Sequence, residues 1–426
     1  MVHIMPEERQ SPFIHAGDAV DPHTGAAAVP LYQTSSFVFP DAATAADRYA
    51  LQADGDIYTR ISNPTVRALE QRLAAISGAP AAVATASGMA AFDAIVSTLC
   101  GVGDTVVAGE QLYGGTLTHL RTVAADRGID LVLVDDRDPD AVAAALTDEV
   151  AFLHVETITN PSLHVADLPA LADVAHAHDV PLVVDNTFAT PAVCRPVDHG
   201  ADVVWESTTK WIHGAGTTIG GVLIDGGSFD WSAYPTVSDG RVDHTTASPA
   251  APLAAAARHE VLRATGALQA PFDAWQTLQG VATLDVRMQQ QCDTAAAVAA
   301  FLAEHPAVAW VRYPGLADDP AHAVAGRVCT AAAPVRYGAM ISFGVTGGRE
   351  AARRVCESTE MIRFLANVGD VASLIIHPAT TTHAALDADA QAAAGVRPEQ
   401  LRLSVGLEGA DAICADLDAA LAEADA

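Results

Sequence analysis

Hydrophobic residues in the middle part of the chain form short apolar runs separated by amphipathic stretches. The series opens with TVRALEQRLAAISG (residues 65–78), where apolar residues recur at helical spacing and a glycine marks the end. The apolar runs AAVATA, DTVVAG, IDLVLVDD, VAFLHVE, VPLVVDNT and ADVVWES follow, with helical stretches between them. Val-rich runs without polar alternation are typical of parallel strands buried on both faces. The pattern therefore predicts an α/β fold, a mostly parallel sheet with helices on both faces.

The two ends of the chain differ from this middle part. Residues 1–62 lack helical periodicity and are rich in turn formers, so we interpret them as an arm that leans on another surface. After the strand run GGVLIDGG an irregular Ala- and Pro-rich insertion follows, and then one long helix is predicted over residues 271–305. The runs MISFGV, SLIIHP and LRLSVGLE lie between helical stretches and indicate a smaller α+β domain. We accordingly predict a main domain over residues 63–275 and a C-terminal domain over residues 276–426.

The charge of the chain is strongly negative, although its composition is that of a globular protein. It has 52 Asp and Glu against 23 Lys and Arg, a formal net charge of −29, and a hydrophobic fraction of 50%. Extreme acidity spread over a well-patterned sequence keeps a surface hydrated and favours a halophilic host with a salty cytoplasm, with an acidic protein of a mesophile as the alternative. It also argues against nucleic acid and anionic membranes as partners, because no basic stripe is available to contact phosphates.

Length and cysteine usage narrow the class of protein further. The 426 residues suffice for two or three domains with cores of their own. The start, MVHIMPEERQ, has no apolar run behind a basic segment, and no window approaches the roughly 20 apolar residues that span a bilayer. The six cysteines show neither CxxC nor metal-ligand spacing, so we interpret them as reduced core residues and predict no metal site. We expect a soluble, cytoplasmic protein.

One lysine is the most informative residue of the sequence. Lys210 is the only lysine in the chain, and all the other basic residues among the 23 are arginines. It follows directly on the strand run ADVVWES, at the edge of a parallel sheet where active sites lie. Arginine cannot replace an amine that forms an imine, and pyridoxal phosphate is the cofactor most often held in this way. A surface lysine retained by chance is the alternative, but retention at a single position favours covalent chemistry.

Two further residues match the needs of a pyridoxal ring. The ring acts as an electron sink when its nitrogen stays protonated, which requires a carboxylate beside it. Asp185 stands at the end of the strand run VPLVVD, next to the lysine strand, and helix capping is its alternative role. Tyr113, in QLYGG after another strand run, offers an aromatic face to cover the ring. We therefore predict Asp185 and Tyr113 as residues of a cofactor site.

Five small or polar residues match the needs of a phosphate group. Ser87, Gly88 and Met89 open a helix directly after a strand run, and backbone N–H groups at a helix start bind phosphate. Small residues start many helices, so this signal is weak when it stands alone. Ser207 and Thr209 flank the lysine in ESTTK and can add hydroxyl donors. Together these residues predict a phosphate site at the same edge of the sheet.

Six motifs occur in order along the chain: ASGMAA, LYGGT, ETITNP, VDNTFATP, STTKWIHGAGTTIGG and LRLSVGLE. In this order they resemble the Cys/Met-metabolism family of pyridoxal-phosphate enzymes, and the similarity runs from HAGDAVDPHTG to the C terminus. The family includes cystathionine synthases and lyases, methionine γ-lyase and O-acetylhomoserine sulfhydrylases. The segments PFDAWQTLQG, WVRYPGL and LANVGDVASLIIHPATTTH are most similar to the sulfhydrylase branch. The resemblance implies a fold type I transferase with pyridoxal 5'-phosphate as its cofactor.

The resemblance gives the residues above the same roles, with Lys210, Tyr113 and Asp185 as catalytic residues, and it adds five others. Tyr58 and Arg60, in IYTR of the arm, match residues that reach the phosphate site of a neighbouring subunit. Asn160 matches a residue near the cofactor and the substrate carboxylate. Arg402 matches the clamp on that carboxylate, with Ser373 beside it, although an arginine can also be structural. The implied assembly is a homotetramer built from dimers that share active sites. These added residues are Tyr58, Arg60, Asn160, Ser373 and Arg402.

Three positions depart from the family pattern or discriminate within it. Glu206 stands where the family usually has Asn or His, and a carboxylate near phosphate is unfavourable unless its side chain turns away. His213 lies in IHGAG, which replaces the more usual GGHG. Gly115 stands where methionine γ-lyases carry a cysteine, which argues against a lyase of that type.

Two other classes of protein are the alternatives. GAGTTIG, at residues 214–220, resembles a glycine-rich dinucleotide loop, but such a loop opens a helix, and here it leads into the strand run GGVLID. A nicotinamide oxidoreductase is therefore disfavoured. A non-catalytic binding protein has no need for the lone lysine. Within the family we expect γ-replacement on O-acetyl-L-homoserine by sulfide or a thiol, with cystathionine γ-synthase or γ-lyase as the alternatives.

Replacement of Lys210 tests the covalent assignment. We expect Lys210→Ala to abolish turnover and the imine absorbance of the bound cofactor, and Lys210→Arg to restore neither, because a guanidinium forms no imine. Absorbance spectra before and after borohydride fixation, together with steady-state rates, provide the measurement. Substantial activity in either variant would contradict the assignment.

Overall fold

The computed structural model describes residues 11–18, 20, 21, 23–384 and 387–425, which form two sheets and the helices around them. The strands of the larger sheet are β1 (Ala81–Thr85), β2 (Thr105–Gly109), β3 (Asp130–Val134), β4 (Val150–Glu156), β5 (Leu182–Asp185), β6 (Val203–Glu206) and β7 (Gly221–Asp225). Those of the smaller sheet are β8 (Val308–Arg312), β9 (Met340–Val345), β10 (Arg363–Phe364), β11 (Leu374–Ile376) and β12 (Gln400–Ser404).

Helices cover both sheets and connect their strands. The α-helices are α1 (Pro12–His15), α2 (Ala42–Tyr49), α3 (Pro64–Ser77), α4 (Gly88–Leu99), α5 (Gly114–His119), α6 (Pro139–Ala145), α7 (Leu168–His176), α8 (Pro235–Ser238), α9 (His244–Ala247), α10 (Pro252–Ala256), α11 (Arg263–Thr265), α12 (Pro271–Val281), α13 (Leu284–Glu304), α14 (His322–Val328), α15 (Gly348–Ser358), α16 (Ala388–Ala393) and α17 (Ala410–Ala422). Short π-helices lie at Leu120–Ala124 and Ala257–Leu262, and 3₁₀ turns at Pro196–His199, Trp231–Ala233, Pro378–Thr380 and Glu423–Asp425. None of the helices within the described ranges is long and apolar enough to cross a membrane.

The larger sheet has the strand order β1-β7-β6-β5-β4-β2-β3 and is mostly parallel, as predicted. Strands β2 to β6 run parallel to one another, and β7 is antiparallel to both β1 and β6. Successive residues of one strand enter different cores: Val183 belongs to one apolar cluster and Val184 to the other. Both faces are therefore buried, which explains the unalternated apolar runs of the sequence. The glycine-rich residues 214–220 lead into β7 and not into a helix, as expected.

The prediction of one long helix over residues 271–305 is wrong, because the segment forms α12 and α13 with a break between Val281 and Leu284. Arg287 explains the break: its guanidinium donates to the carbonyls of Gly280, at 2.9 Å, and Trp211, at 2.8 Å. Charge-assisted bonds of this kind compensate for the lost helical ones. They also tie the break to the segment that directly follows Lys210.

The arm also contains more helix than its sequence predicted. Helix α2 begins after Asp41, whose carboxylate accepts a hydrogen bond from Thr44 N–H at 2.7 Å and caps the helix. The first ten residues of the predicted arm lie outside the described residues. The insertion after β7, predicted to be irregular, contains the short helices α8 to α11. All six cysteines are free, and Cys194, Cys292, Cys329 and Cys356 are buried.

Candidate active site

A cavity of about 260 Å³ opens at the carboxyl ends of the parallel strands. The predicted site residues that line it are Ser87, Gly88, Met89, Tyr113, Asn160, Asp185, Ser207, Thr209, Lys210 and Arg402. Residues that the sequence did not single out line it as well; they include Glu156, Thr187, Phe188, Trp205, Asn367 and Thr382. Tyr58, Arg60 and Ser373 are not among the lining residues. Both the larger sheet and the C-terminal part of the chain thus contribute walls.

The Lys210 amine lies in the turn after β6 and faces the cavity. Backbone hydrogen bonds fix the position of this residue. The Lys210 N–H donates to the Ser207 carbonyl at 3.2 Å, and the Lys210 carbonyl accepts from Gly214 N–H at 2.8 Å. Burial, and then the positive charge of Arg402, lower the pKa of Lys210 to about 8. Its Nζ donates a hydrogen bond to Asn367 Oδ1 at 2.5 Å. The lysine is therefore both oriented and prone to lose its proton.

Asp185 and Glu156 form a pair of carboxyl groups at adjacent strand ends, since the register of β4 and β5 places them opposite each other. Asp185 accepts a hydrogen bond from Thr187 N–H at 2.9 Å, and burial raises its pKa to about 6. A cationic ring nitrogen beside it would favour the ionised form. Burial and the charge of Asp185 raise the pKa of Glu156 well above its ordinary value. A proton on Glu156 would leave Asp185 to carry the negative charge that a pyridinium requires.

Glu156 was missed in the sequence, although the signal that identified Asp185 applies to it. Like Asp185 it ends an apolar strand run, VAFLHVE. Its carboxyl group accepts hydrogen bonds from the backbone N–H groups of Tyr113 and, at 3.1 Å, Asn160. It thereby joins two loops that line the cavity. Glu156 therefore positions both loops.

The N terminus of α4 forms a small concave surface opposite Ser207. Ser87 caps the helix by accepting a hydrogen bond from Ala90 N–H at 3.1 Å, and the first N–H groups of a helix have no partner within it. A Cβ atom at Gly88 would lie 2.8 Å from the Ser207 Cβ, so only glycine fits this approach. The Thr209 hydroxyl donates to the Gly220 carbonyl at 3.1 Å and thereby ties the loop before β7 to the lysine turn. Backbone donors, hydroxyl groups and missing side-chain volume together suit a phosphate group.

Taken with the lysine and the carboxyl pair, this surface fits pyridoxal 5'-phosphate. The phosphate donors stand at α4, the amine at the turn after β6, and the carboxylate at the end of β5. Tyr113 lines the cavity with 45% of its surface exposed, so its ring is free to cover a bound ring. The individual roles of these residues stay predictions.

Arg402, on β12, reaches the same cavity and pairs with an amide, not an acid. Its Nη1 donates to Asn160 Oδ1 at 2.8 Å, and its buried Nε has no partner among the described residues. Burial lowers the pKa of its guanidinium to about 10, so it remains a cation at neutral pH. Ser373 lies elsewhere: its hydroxyl donates to Glu408 at 2.8 Å and accepts from Gly406 N–H at 2.9 Å. A free cationic donor in a cavity suits the carboxylate of an amino acid.

Tyr58 and Arg60 lie outside this cavity, on the surface of the arm. Tyr58 is 41% exposed, and the Arg60 guanidinium stacks on its ring with a distance of 5.5 Å to the centroid. Arg60 also donates to the carbonyl of Arg263. A separate hollow is lined by both residues and by the loop of residues 266–271. The chain therefore does not bring these two residues to its own lysine.

The structure shows the surroundings of Glu206, His213 and Gly115, the three positions singled out by comparison with the family pattern. Glu206 does not line the cavity and is fully buried, so its side chain is turned away from the phosphate surface. His213 Nε2 lies 2.8 Å from Thr217 Oγ1 in the loop after the lysine. Gly115 packs under the Tyr113 ring, so a side chain there would displace that ring.

Replacement of Gly88 tests the phosphate surface. We expect Gly88→Ala to weaken cofactor retention at least tenfold, because the new methyl group meets Ser207 where the phosphate approaches. Equilibrium dialysis against pyridoxal 5'-phosphate measures this. Gly326→Ala is the matched control, since a Cβ there meets nothing within 4 Å, and its affinity should equal that of the wild type. Equal affinities in both variants would place the phosphate elsewhere.

Comparisons with known proteins agree over nearly the whole chain. A family described as Cys/Met metabolism PLP-dependent enzyme matches residues 10–422. The chain is 41% identical to the O-acetyl-L-homoserine sulfhydrylase of Leptospira meyeri, over 96% of this chain and 95% of that protein. It is also 41% identical to the homocysteine synthase of Schizosaccharomyces pombe, over 96% of each.

Solved structures show the same relationship. A protein of Campylobacter jejuni described as an O-acetylhomoserine (thiol)-lyase, which carries N'-pyridoxyl-lysine-5'-monophosphate, superposes with a TM-score of 0.91 at 33% identity, over 96% of this chain and 99% of that one. Cystathionine γ-synthase of Xanthomonas oryzae pv. oryzae gives a TM-score of 0.84 at 34% identity, over 97% of each. The predicted fold type I architecture and pyridoxal phosphate cofactor are confirmed, and the chain belongs to the Cys/Met metabolism family of PLP-dependent enzymes.

Proposed function

We propose that this enzyme is an O-acetylhomoserine sulfhydrylase, which converts O-acetyl-L-homoserine and sulfide into L-homocysteine and acetate in methionine and cysteine biosynthesis. The observation that carries the proposal is that Lys210, Asp185 and the partly unpaired Arg402 all open into one cavity. This arrangement suits an α-amino acid that is bound by its carboxylate next to an amine. The names of relatives at 41% identity support sulfide as the second substrate.

Lys210 is the residue that moves protons. When bound, pyridoxal 5'-phosphate supplies an aldehyde for amines and a ring that stabilises negative charge on the substrate. The neutral Lys210 Nζ then accepts the proton of the substrate α-carbon. A pKa of about 8 gives an appreciable fraction of neutral amine near that pH, whereas the ordinary value of 10.5 leaves very little. The bond to Asn367 Oδ1 aims the nitrogen before substrate arrives.

Arg402 and Asn160 bind and orient the substrate. Arg402 keeps its charge at neutral pH, and its buried Nε has no hydrogen-bond partner among the residues that the structure describes, so a carboxylate can take that donor. Asn160 holds the guanidinium in place through its side-chain oxygen and is itself held through its N–H by Glu156. The substrate α-carbon is thereby set toward Lys210, and the γ-carbon, which carries the acetoxy leaving group, extends away from the clamp.

We also propose that the active site is completed by a second chain, within a homotetramer built from dimers. Tyr58 and Arg60 do not line the cavity of their own chain, yet both are exposed and near each other. A guanidinium and a phenol presented outward suit the phosphate of a neighbouring site. The net charge of −29 makes subunits repel, so association in a salty cytoplasm, where repulsion is screened, is part of the same proposal.

A panel of substrates tests the proposed reaction. We expect the holoenzyme to form homocysteine and acetate from O-acetyl-L-homoserine and sulfide faster than from the succinyl or phosphoryl esters, and Lys210→Arg to be inactive. Steady-state rates with sulfide, methanethiol or cysteine as donor provide the measurement. Cystathionine as the main product would instead identify a γ-synthase, and a keto acid formed without any donor would identify a γ-lyase.

Mixing of inactive subunits tests the shared site. We expect Lys210→Ala and Arg60→Ala proteins to regain part of the activity when they exchange subunits, because a hybrid dimer contains one site with an intact lysine and an intact arm. Activity after verified exchange is measured against a mixture of Lys210→Ala and Lys210→Arg, which cannot form an intact site. No recovery would mean that each site is built within one chain.

A further inference from the structure

Glu206 is a buried carboxyl group to which the proposed reaction gives no task. It ends β6, and its side chain has no solvent exposure. Asp185 is paired with Trp205, the residue before Glu206, and both of these line the cavity. Because successive side chains of a strand point to opposite faces, Glu206 lies on the other face of the sheet, behind the cavity.

A row of polar side chains crosses the strand ends on that face. The Thr157 hydroxyl donates to Asn186 Oδ1 at 2.8 Å, and the Asn186 amide donates to Glu206 Oε1 at 2.7 Å. The same amide donates to the carbonyl of Cys194 at 3.0 Å. Asn186 directly follows Asp185, so this row holds the backbone that carries the carboxylate proposed to face the cofactor.

The surroundings of Glu206 favour its neutral form. Its second oxygen, Oε2, is buried without a hydrogen-bond partner in the described part of the chain. Among the described residues, the titratable groups that interact with its charge are Asp185, on the neighbouring strand, and the thiol of Cys194; neither is a cation. On its other side β7 presents Val222, and the core cluster on this face is apolar. Burial raises the pKa of Glu206 to about 8. The hydrogen bond from Asn186 acts in the opposite direction and lowers this pKa, and the charge of Asp185 raises it by a smaller amount.

We propose that Glu206 is a positioning residue that works as a neutral acid behind Asp185, and that loss of its proton at alkaline pH loosens these strand ends and releases the cofactor. An unpaired carboxylate is strongly unfavourable in such a site, so its ionisation requires the strand ends to admit water. The inference rests on the proposed function only for its kinetic consequence, an alkaline limit to turnover. The state of the proton and the retention of the cofactor are measured without any substrate.

Infrared spectroscopy of the holoenzyme detects the proton directly. The difference spectrum between the wild type and Glu206→Gln should contain the C=O band of one protonated carboxyl at neutral pH, and that band should fade as the pH rises through about 8. Glu304→Gln, the same substitution at an exposed glutamate, is the matched control. Its difference spectrum against the wild type should contain no such band, because both proteins keep Glu206. If the difference spectrum between the wild type and Glu206→Gln lacks this band at neutral pH, the proposal is overturned.

Thermal unfolding gives an independent readout with a definite sign. The pKa of Glu206 in the folded protein, about 8, lies above its ordinary value of 4.5, so the folded state holds the extra proton between these pH values. Stability therefore falls as pH rises across this window, by up to about tenfold in the folding constant per pH unit, and the loss levels off above it. The Tm of Glu206→Gln relative to the wild type should rise across the same window, whereas that of Glu304→Gln should stay constant.

Cofactor release separates positioning from general stability. At a temperature where all the proteins stay folded, the wild type and Glu304→Gln should release pyridoxal 5'-phosphate several-fold faster as pH rises through about 8, whereas Glu206→Gln should not. An identical pH dependence in Glu206→Gln and the wild type overturns the proposal. If Glu206→Gln does not fold, Glu206→Asn replaces it, and the infrared titration of the wild type decides. Failure of the sulfhydrylase assay alone, with these results as expected, would remove the proposed reaction and leave the role of Glu206 intact.

Discussion

The register of β4, β5 and β6 is the constraint on which the rest of the site depends. It places Glu156 opposite Asp185 and Asp185 opposite Trp205, all on the cavity side of the sheet. A slip of one residue would turn Asp185 into the core and bring Asn186 to the cavity. The apolar residues before these strand ends prevent the slip, because alternate valines fill two different cores that helices cover on either side. The packing of the whole domain thus fixes where one carboxylate points.

Burial shifts four ionisable groups of the cavity in the direction of neutrality. It lowers the pKa of Lys210 and Arg402 and raises that of Asp185 and Glu156. For Lys210 the result is an amine with a pKa of about 8, which suits the proton transfer at a substrate carbon proposed above. A dianionic phosphate and a cationic ring placed among these groups would favour the charged forms that burial alone disfavours. The cavity is thus arranged for a cofactor that brings its own charges.

Much of this site could be predicted from the sequence, because the residues that lie at the strand ends of the larger sheet follow from local patterns. Lys210 stood out as the only lysine, and Asp185 as an acid at the end of an apolar run. Residues that depend on distant contacts could not be found in this way: Asn367 is separated from Lys210 by 157 positions and lies in a loop without periodicity. The break between α12 and α13 was missed for the same reason, since Arg287 stabilises it by binding carbonyls 76 and 75 positions earlier.

These distant contacts show how the site is assembled. The bonds from Lys210 to Asn367 and from Arg402 to Asn160 both cross the cavity, and each joins a residue of the larger sheet's loops to one from the C-terminal part of the chain. Arg287 ties the first turn of α13 to the carbonyls of Trp211 and Ile212, directly after the lysine. The amine, the substrate clamp and the start of α13 are consequently all held by bonds between distant parts of the chain. A shift of the C-terminal part would move the clamp and release the lysine together, so the geometry needed for chemistry exists only when both parts are in place.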